Sequence, residues 1–528
     1  IIYNVFKNYL YKNIKVMIGI NIGSLNSTVS IGERTGNGLL HKVELLLSET
    51  SSRICPSLLS FTDSHRVIGD QASLTLRKNI KSSFQYINRF IGFDMDTPFT
   101  KKEFSDYHYV GEKYDTNQKK CCYSLKGEKK YLTPDEIAVS YLRLLYNGYV
   151  LQKNIKPECV FLSVPDYFTH VQKTEFIKDI KCSGINNDFY LVNESSATTL
   201  YFGYKKYKEY FVRKTEGKAA TVDPTIVKYV LFIDAGHSKI SFILSKLTYN
   251  LFYVLDSVTI PFLGGRDFDD AVYKYCCDKF NKDHGIDISK NAKIKLRLIT
   301  PITKARKNLT VNKDAQISVD SLAEDIDFSI ILTKEDYENI ISDKIKLFKE
   351  ELIKFCEKNK KINPDADITN VEMAGELMRT PALEKIVKEV TGLEISKSIL
   401  TDECLSIGSS LYGSLLKGCF PVKDFKGIYH LNHYTILSSI NGESLTEFVS
   451  NHHQIPDFKS FEFDSKALKN KINISFYYIK DEIKDYVKVN EADEEVLLIS
   501  YDILCDEILK NNNIKKLKIA FLVDNLGD

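Results

Sequence analysis

Two stretches of the chain arrange apolar and polar positions in the same way. Residues 16–32, "VMIGINIGSLNSTVSIG", and residues 230–244, "VLFIDAGHSKISFIL", each open with an apolar, β-branched run. Each then reaches a polar or acidic residue (Asn21, Asp234), a glycine two positions on (Gly23, Gly236), a Ser- or Thr-bearing turn and a second apolar run. Both patterns predict a β-hairpin. One hairpin written twice, about two hundred residues apart, is spaced too widely for a solenoid. The spacing predicts a duplicated α/β domain with a site between its halves.

The segments between and after them fit that frame. "CVFLSVPDYF" predicts a strand ending in a Pro turn, and "HVQKTEFIKDIKCSG" a helix closed by Gly184. "FYLVNESSATTLYFG" predicts a strand entering a helix at Asn193-Glu194-Ser195, and "ITNVEMAGELMRTPALEKIVKEVTG" a strand, a loop and a helix ending at Gly392. Strands alternating with helices predict a mostly parallel core. The pattern changes after Phe420. In "KINISFYYIK", Ile472, Ile474, Phe476 and Tyr478 alternate with Asn473, Ser475 and Tyr477; in "KKLKIAFLVD", Leu517, Ile519, Phe521 and Val523 do the same. Period-two alternation predicts an antiparallel β-sandwich. The expected domains are residues 17–417, a linker over 418–426 around "KGCFPVKDFKGI", and a sandwich over 427–528. The acidic run Glu491 to Glu495 is expected to be a solvated loop.

Composition changes this picture little. The 528 residues carry 72 basic and 70 acidic side chains, a net charge of +2, so charge makes no case for nucleic acid or an anionic membrane. The 11 cysteines include two adjacent pairs, Cys121-Cys122 and Cys276-Cys277, and no C-x-x-C, which favours structural thiols in a reducing compartment. No apolar run approaches the ~20 residues that span a bilayer. The stretch before Met17, residues 1–16, is either a leader of doubtful origin or an amphipathic targeting segment. It has no Arg and no small-residue cleavage site. With no secretory leader or retention signal, a cytoplasmic location is expected.

The duplicated turns carry the candidate chemistry. A tight turn presents backbone N–H groups, glycine permits close approach, and such a nest binds phosphate oxygens. A carboxylate at a strand end holds hydrated Mg²⁺ or orients a water. "FLGGRDFDDAV" places Gly264-Gly265 at the start of a helix, suited to an anion. "PITKARKNLT" predicts a helix starting at Pro301 with Thr303, Arg306, Lys307 and Thr310 on one face. That face is either solvated or lies along an adenosine. "AGELMRTP" puts Gly375 and Arg379 in a strand-to-helix loop beside it.

These pieces, in this order, resemble the ATPase domain of the seventy-kilodalton heat-shock chaperone family, with its actin-like, ribonuclease H-like two-lobed fold, over nearly the whole chain. "IDAGHS", Arg266 in "GGRDFD", and the linker "FPVKDFKG" are similar to the hundred-and-ten-kilodalton, nucleotide-exchange-factor branch. "NRFIGFD", "VPDYF" and "SSRICPS" fit both branches. The resemblance implies Glu194 and Asp234 as the catalytic carboxylates, with Asp234 holding Mg²⁺ through water. It implies ATP or ADP bound by Gly23, Ser24, Leu25, Asn26, Gly236, His237, Ser238, Gly264, Gly265, Thr303, Arg306, Lys307, Thr310, Gly375, Arg379 and Asp402.

It also exposes losses. Asn21 stands where the family has the first-loop aspartate, Asn88 where it has a phosphate-facing lysine, Ser241 where it has a second aspartate, and Lys239 where it has a threonine. Losing one charged group from a catalytic site forfeits ~3 kcal/mol or more, so weak or absent hydrolysis is expected. Glu376 replaces a glycine; ~5 Å from a phosphate it would cost ~3 kcal/mol at an effective dielectric near 20, unless it points outward. Thr303 replaces a ribose-binding glutamate. The expected function is a co-chaperone. It would release ADP from a conventional seventy-kilodalton partner and hold unfolded polypeptides, without nucleic-acid or membrane partners. A slow ATP-driven chaperone and a nucleotide-free holdase are the alternatives. The branch's helical bundle has no counterpart before Asp528, so the chain is expected to be reduced or a fragment.

Overall fold

The strand Val16–Ile22 pairs antiparallel with Asn26–Arg34, and Lys228–Ala235 pairs antiparallel with Ile240–Leu247. These hairpins belong to a computed structural model describing residues 16–34, 40–94, 96–107, 114–115, 120–125, 128–215, 227–420, 425–464, 471–489, 493–505 and 516–524. Each hairpin is the middle of a larger sheet. In the first, Leu40–Leu45 extends the hairpin, Cys159–Val164 runs parallel to Val16–Ile22, and Asp188–Asn193 lies beyond. In the second, Leu251–Ile260, Ile368–Ala374 and Ile395–Ser396 take the same places in the same directions. Two sheets with one strand order are the duplication that the repeated pattern predicts.

The strand after each parallel partner leads to a helix, Glu194–Thr215 in the first half and Thr401–Leu416 in the second. These helices pack against each other between the sheets. Ser30 Oγ donates to the carbonyl of Ser406 at 2.7 Å and lies 2.7 Å from Ser410 Oγ, tying the second half's helix to the first half's hairpin. Around this pair Met17, Phe161, Phe232, Phe252 and Leu411 form one apolar cluster drawn from both halves. Phe161, Phe232 and Phe252 are fully buried, and such a side chain contributes about 1.5–3 kcal/mol through burial.

A buried charge cluster joins the halves on the other side. The helix Pro98–Asp106, capped by Thr97, presents Glu103 to two arginines. Arg89 Nε donates to Glu103 Oε2 at 3.0 Å, Nη1 to Tyr167 Oη at 3.0 Å and Nη2 to the Pro261 carbonyl at 2.6 Å. Arg266, at the first turn of the helix Gly265–His284, donates to both Glu103 oxygens. Burial raises the Glu103 pKa, but the two guanidiniums outweigh it and hold it down at about 2.

The fold departs from the sequence expectations at three places. The helix expected to start at Pro301 runs from Ala292 to Asn308, because Asn291 accepts from the Lys293 and Ile294 amides and starts it earlier. The boundary at residue 427 falls inside a sheet: Gly427–Leu431 pairs parallel with Leu251–Ile260, and Gln454–Ile455 adds to it. Strand pairing satisfies the edge of the second half's sheet, which is why no clean boundary occurs there. Third, Glu495, expected in the loop, opens the strand Glu495–Leu504. Residues 1–15, 421–424 of the linker and 491–492 of the acidic run lie outside the described residues.

Beyond this ladder, Ile436–Ile440, Thr446–Val449, Lys471–Ile479 and Glu495–Leu504 form a four-stranded antiparallel sheet, and Asp457–Asp464 pairs with Lys516–Val523. Ile472, Ile474, Phe476 and Tyr478 are buried on one face, in a core shared with Phe461 and Phe521. Ser475, on the alternate face, is buried as well. The unit rests on the first half: Tyr486 stacks on Tyr167 at 5.5 Å, and Tyr434 Oη donates to the Tyr167 carbonyl at 2.6 Å. Among the described residues no helix is long and apolar enough to cross a membrane.

Removing the Glu103 charge leaves two buried guanidiniums without their shared partner. Glu103→Gln should therefore lose about 3–5 kcal/mol of stability in denaturant titration. A folded pKa of about 2 against 4.5 means that the carboxylate's contribution is fully present above pH 4.5 and is lost as pH falls toward 2. The variant's stability should vary less than the parent's across that window.

Candidate functional site

The two hairpin turns close alike. The Gly23 amide donates to the Asn26 carbonyl at 3.1 Å, and the Gly236 amide donates to the Lys239 carbonyl at 2.9 Å. The turns face each other: Ser24 Oγ lies 2.6 Å from Ser238 Oγ across 214 residues of sequence. Between them is a cavity of about 150 Å³. Gly23, Ser24, Leu25, Asn26, Gly236, His237, Ser238, Glu194, Asp234 and Asp402, all expected from sequence, line it together with Asn21, Asn88 and Lys239. Buried Asn88 Oδ1 has no hydrogen-bond partner. Asn21 Oδ1 accepts from Ser163 Oγ at 2.9 Å. Ser241, paired opposite Asp234 in the ladder, turns its hydroxyl to Thr259, 2.9 Å away.

Glu194 begins the helix that follows the strand Asp188–Asn193, so the strand end delivers it to the cavity. There it forms an ion pair with Lys239, both side chains being about nine-tenths buried, at 9% and 12% exposed. The Lys239 ammonium also lies 5.7 Å from the Tyr167 ring centre. Burial opposes its charge, but Glu194, Tyr167 and Asp234 outweigh burial and keep its pKa raised. Asp234 faces the same ammonium, and burial raises its pKa. This pairing was not foreseen in the sequence, where Lys239 is one lysine in a polar turn.

The Gly264-Gly265 helix start differs from expectation. Its amides are already used: Gly264 N–H donates to Asp267 Oδ2 at 2.6 Å, Gly265 N–H to the Gly236 carbonyl at 3.0 Å and Arg266 N–H to the His237 carbonyl at 2.8 Å. With donors consumed and a carboxylate over the end, the terminus does not receive an anion; it buttresses the second turn. A Cβ on Gly264 would stand 2.5 Å from the His237 carbonyl oxygen and the Ser238 amide nitrogen. Gly375 does similar work. It has φ of +91°, and a Cβ there would stand 2.0 Å from the Ala235 carbonyl oxygen, so the Ile368–Ala374 strand end lies directly against the second turn.

The expected polar helix face divides. Thr303 Oγ1 donates to Asp269 Oδ2 at 2.8 Å, and Arg306 Nε donates to Asp269 Oδ1 at 2.7 Å, so Arg306 is turned into a buried ion pair. Thr310 lies beyond the helix end and donates to the Lys307 carbonyl at 2.7 Å. Lys307 reaches Glu376 at 2.8 Å, with both side chains about half exposed. Glu376 therefore points outward to a lysine. Arg379 is exposed on the 3₁₀ turn Glu376–Arg379. None of Gly264, Gly265, Thr303, Arg306, Lys307, Thr310, Gly375 and Arg379 lines the cavity between the turns.

Thr303 and Lys307 line a second space of about 500 Å³, with Tyr86, Tyr107, Arg266 and Asp269; Leu25 and His237 line both spaces. Tyr86 has φ of +56°, stacks on His237 at 5.6 Å and lies under the Arg266 guanidinium at 4.9 Å. No periodicity marks Tyr86 or Asp269 as site residues; the acidic density of "GGRDFDD" is the one signal for Asp269. Burial lowers the His237 pKa to about 3, assisted by Arg266 and Arg306, so the ring is neutral at pH 7.

Direct ligation of Mg²⁺ by the protein would need free carboxylates in this cavity. Asp234 faces it as expected, but Glu194 is taken by an ammonium. Among the described residues no group of three His, Cys, Asp or Glu side chains has metal-binding geometry. The described residues thus offer no direct protein shell for Mg²⁺, while Asp234 lines the cavity where the expected contact through water would fall.

The family model described as Hsp70 protein matches residues 17–492. Heat shock protein 88 of Dictyostelium discoideum is 26% identical over 412 residues, 78% of this chain and 50% of the relative. A heat shock protein homolog of Saccharomyces cerevisiae is 25% identical over 410 residues, 77% of this chain and 56% of the relative. The 97 kDa heat shock protein of Strongylocentrotus purpuratus is 25% identical over 456 residues, 85% of this chain and 49% of the relative. The chain thus spans about half the length of the curated relatives it matches.

Gly375→Ala should shift the second turn, because the side chain meets backbone in a left-handed conformation. The expected cost is about 1–3 kcal/mol or more, read as a lowered melting temperature. Alanine at exposed Gly184, which has open space around it despite φ of +89°, should cost less.

Proposed function

Because the chain belongs to the Hsp70 family, close to its hundred-and-ten-kilodalton branch, we propose that the cleft between the two turns holds the phosphates of ATP or ADP. The family implies a two-lobed, actin-like fold and nucleotide binding, generally with Mg²⁺. The observation that carries the reading here is the Ser24–Ser238 contact, which brings two like-folded turns to one cavity. Asn88, with a buried oxygen lacking a partner, adds an unsatisfied polar group to its wall. The second space, adjoining at Leu25 and His237 and lined by Thr303 and Lys307, is the volume left for a base.

In this reading residues 17–417 form the nucleotide-binding body, and the antiparallel unit from 427 onward is a β-sandwich that holds unfolded polypeptide. The protein acts as a co-chaperone that promotes ADP release from a conventional seventy-kilodalton partner in the cytoplasm. The bound nucleotide serves structure rather than turnover: Glu194 is paired with Lys239, and Asn21, Asn88 and Ser241 are neutral. A nucleotide-free holdase is the second reading. It is favoured by the Lys307–Glu376 bridge and by Asp269 occupying Thr303 and Arg306.

ATP at about a thousand times its Kd should add about 4 kcal/mol to folding stability, seen as a thermal shift, with phosphate release at background. Adding this protein to a conventional partner loaded with labelled ADP should speed release of the label. An unchanged rate with both proteins folded removes the exchange role. Absence of any ATP-induced shift favours the nucleotide-free holdase.

A further inference from the structure

The cavity between the turns has its own cation. Lys239 is the only lysine or arginine among the described residues that line it, and Glu194 and Asp234 line it beside Lys239. The ammonium is held by the fold. Its residue closes the second turn, with the carbonyl accepting from Gly236 N–H at 2.9 Å. Its amide nitrogen lies against Gly264, where a Cβ would come within 2.5 Å. From this fixed base the side chain passes near the Tyr167 ring and ends on Glu194.

The carboxylates left for a metal are few. Asp166, though electrostatically felt by Asp234, accepts from Ser195 N–H at 3.2 Å, Ser195 Oγ at 3.0 Å and Ser257 Oγ at 2.6 Å, and does not line the cavity. Asn21 is neutral and already bonded to Ser163. Asp402 lines the cavity as well, but the charges that act on it are Glu376 and Lys307; Glu194 and Asp234 against Lys239 leave the charge of one carboxylate between them. A dication entering there meets a tethered ammonium at contact range, in surroundings where charges are weakly screened. Hard divalent ions need oxygen ligands free to turn toward them, and Glu194 is not free.

We propose that Lys239 is a resident cation, which takes the place of a divalent metal between Glu194 and Asp234 and lets the cleft bind a nucleotide's phosphates without one. The phosphate part rests on the proposed nucleotide reading; the exclusion of metal does not. Asn88, in the first half, offers a neutral amide, while Lys239, in the second half, offers the charge to the same cavity.

Titration of the full chain with Mn²⁺, followed by electron paramagnetic resonance, tests the exclusion. The parent should show no stoichiometric site, whereas Lys239→Thr should take up one Mn²⁺ per chain, lost again on adding Asp234→Asn. Lys239→Met keeps the stem, removes the charge and should behave alike, so a misfolded threonine variant leaves the test intact. A stoichiometric Mn²⁺ site in the parent that Glu194→Gln or Asp234→Asn abolishes overturns the proposal. So does the failure of both folded variants to gain one. ATP calorimetry tests the consequence: the parent's affinity should differ less than about twofold between Mg²⁺ and EDTA, and the Lys239→Thr affinity should fall at least about tenfold in EDTA. A parent that loses about tenfold in EDTA overturns metal-free binding. No ATP binding in either buffer removes the nucleotide reading, while the Mn²⁺ titration still decides where Lys239 stands.

Discussion

One carboxylate, Glu103, is shared by guanidiniums from opposite halves of a duplicated fold, and the cleft geometry depends on it. Arg89 comes from the first half and also grips the Pro261 carbonyl of the second; Arg266 opens the second half's long helix. That helix start carries the buttress of the second turn through the Gly265 and Arg266 amides. The position of the turn opposite Ser24 thus traces back to a charge cluster with almost no solvent access. Such clusters are costly to bury and costly to break, which suits a clamp between two bodies.

The electrostatics of the cleft follow a different plan. Glu194 and Asp234 face an internal ammonium, its asparagines are neutral, and the nearby His237 is held uncharged by burial. Toward the adjoining space, Asp269 neutralises Arg306 and Glu376 meets Lys307. Most of the charged groups around the cleft have a protein partner. An anionic ligand would meet preformed pairs rather than a field of free charge.

Much of the frame was legible in the chain. The repeated hairpin, the strand-to-helix junction at Asn193-Glu194 and the alternation of Ile472, Ile474, Phe476 and Tyr478 are local patterns, set by the periods of strands and helices. So were the residues of both turns, since a turn keeps its neighbours in sequence together in space. The polar face after Pro301 was legible as a spacing and not as a direction. Helical spacing places Thr303 and Arg306 on one side, but their direction is decided by Asp269 on another helix. The Gly-Gly helix start was legible as a turn and not as a buttress, because the Gly265 and Arg266 amides bond to carbonyls about thirty residues away, and no local rule counts such long-range partners.

What the sequence determined by itself is the duplication, the two turns and the inventory of lost and gained charges, because each is carried by residues adjacent along the chain. What the tertiary structure decided is which charges meet: Lys239 with Glu194, Glu103 with Arg89 and Arg266, and residue 427 with the edge of a sheet begun near residue 228. A side chain's electrostatic role depends on neighbours within a few ångströms, and those neighbours are brought together only when the two halves close on each other.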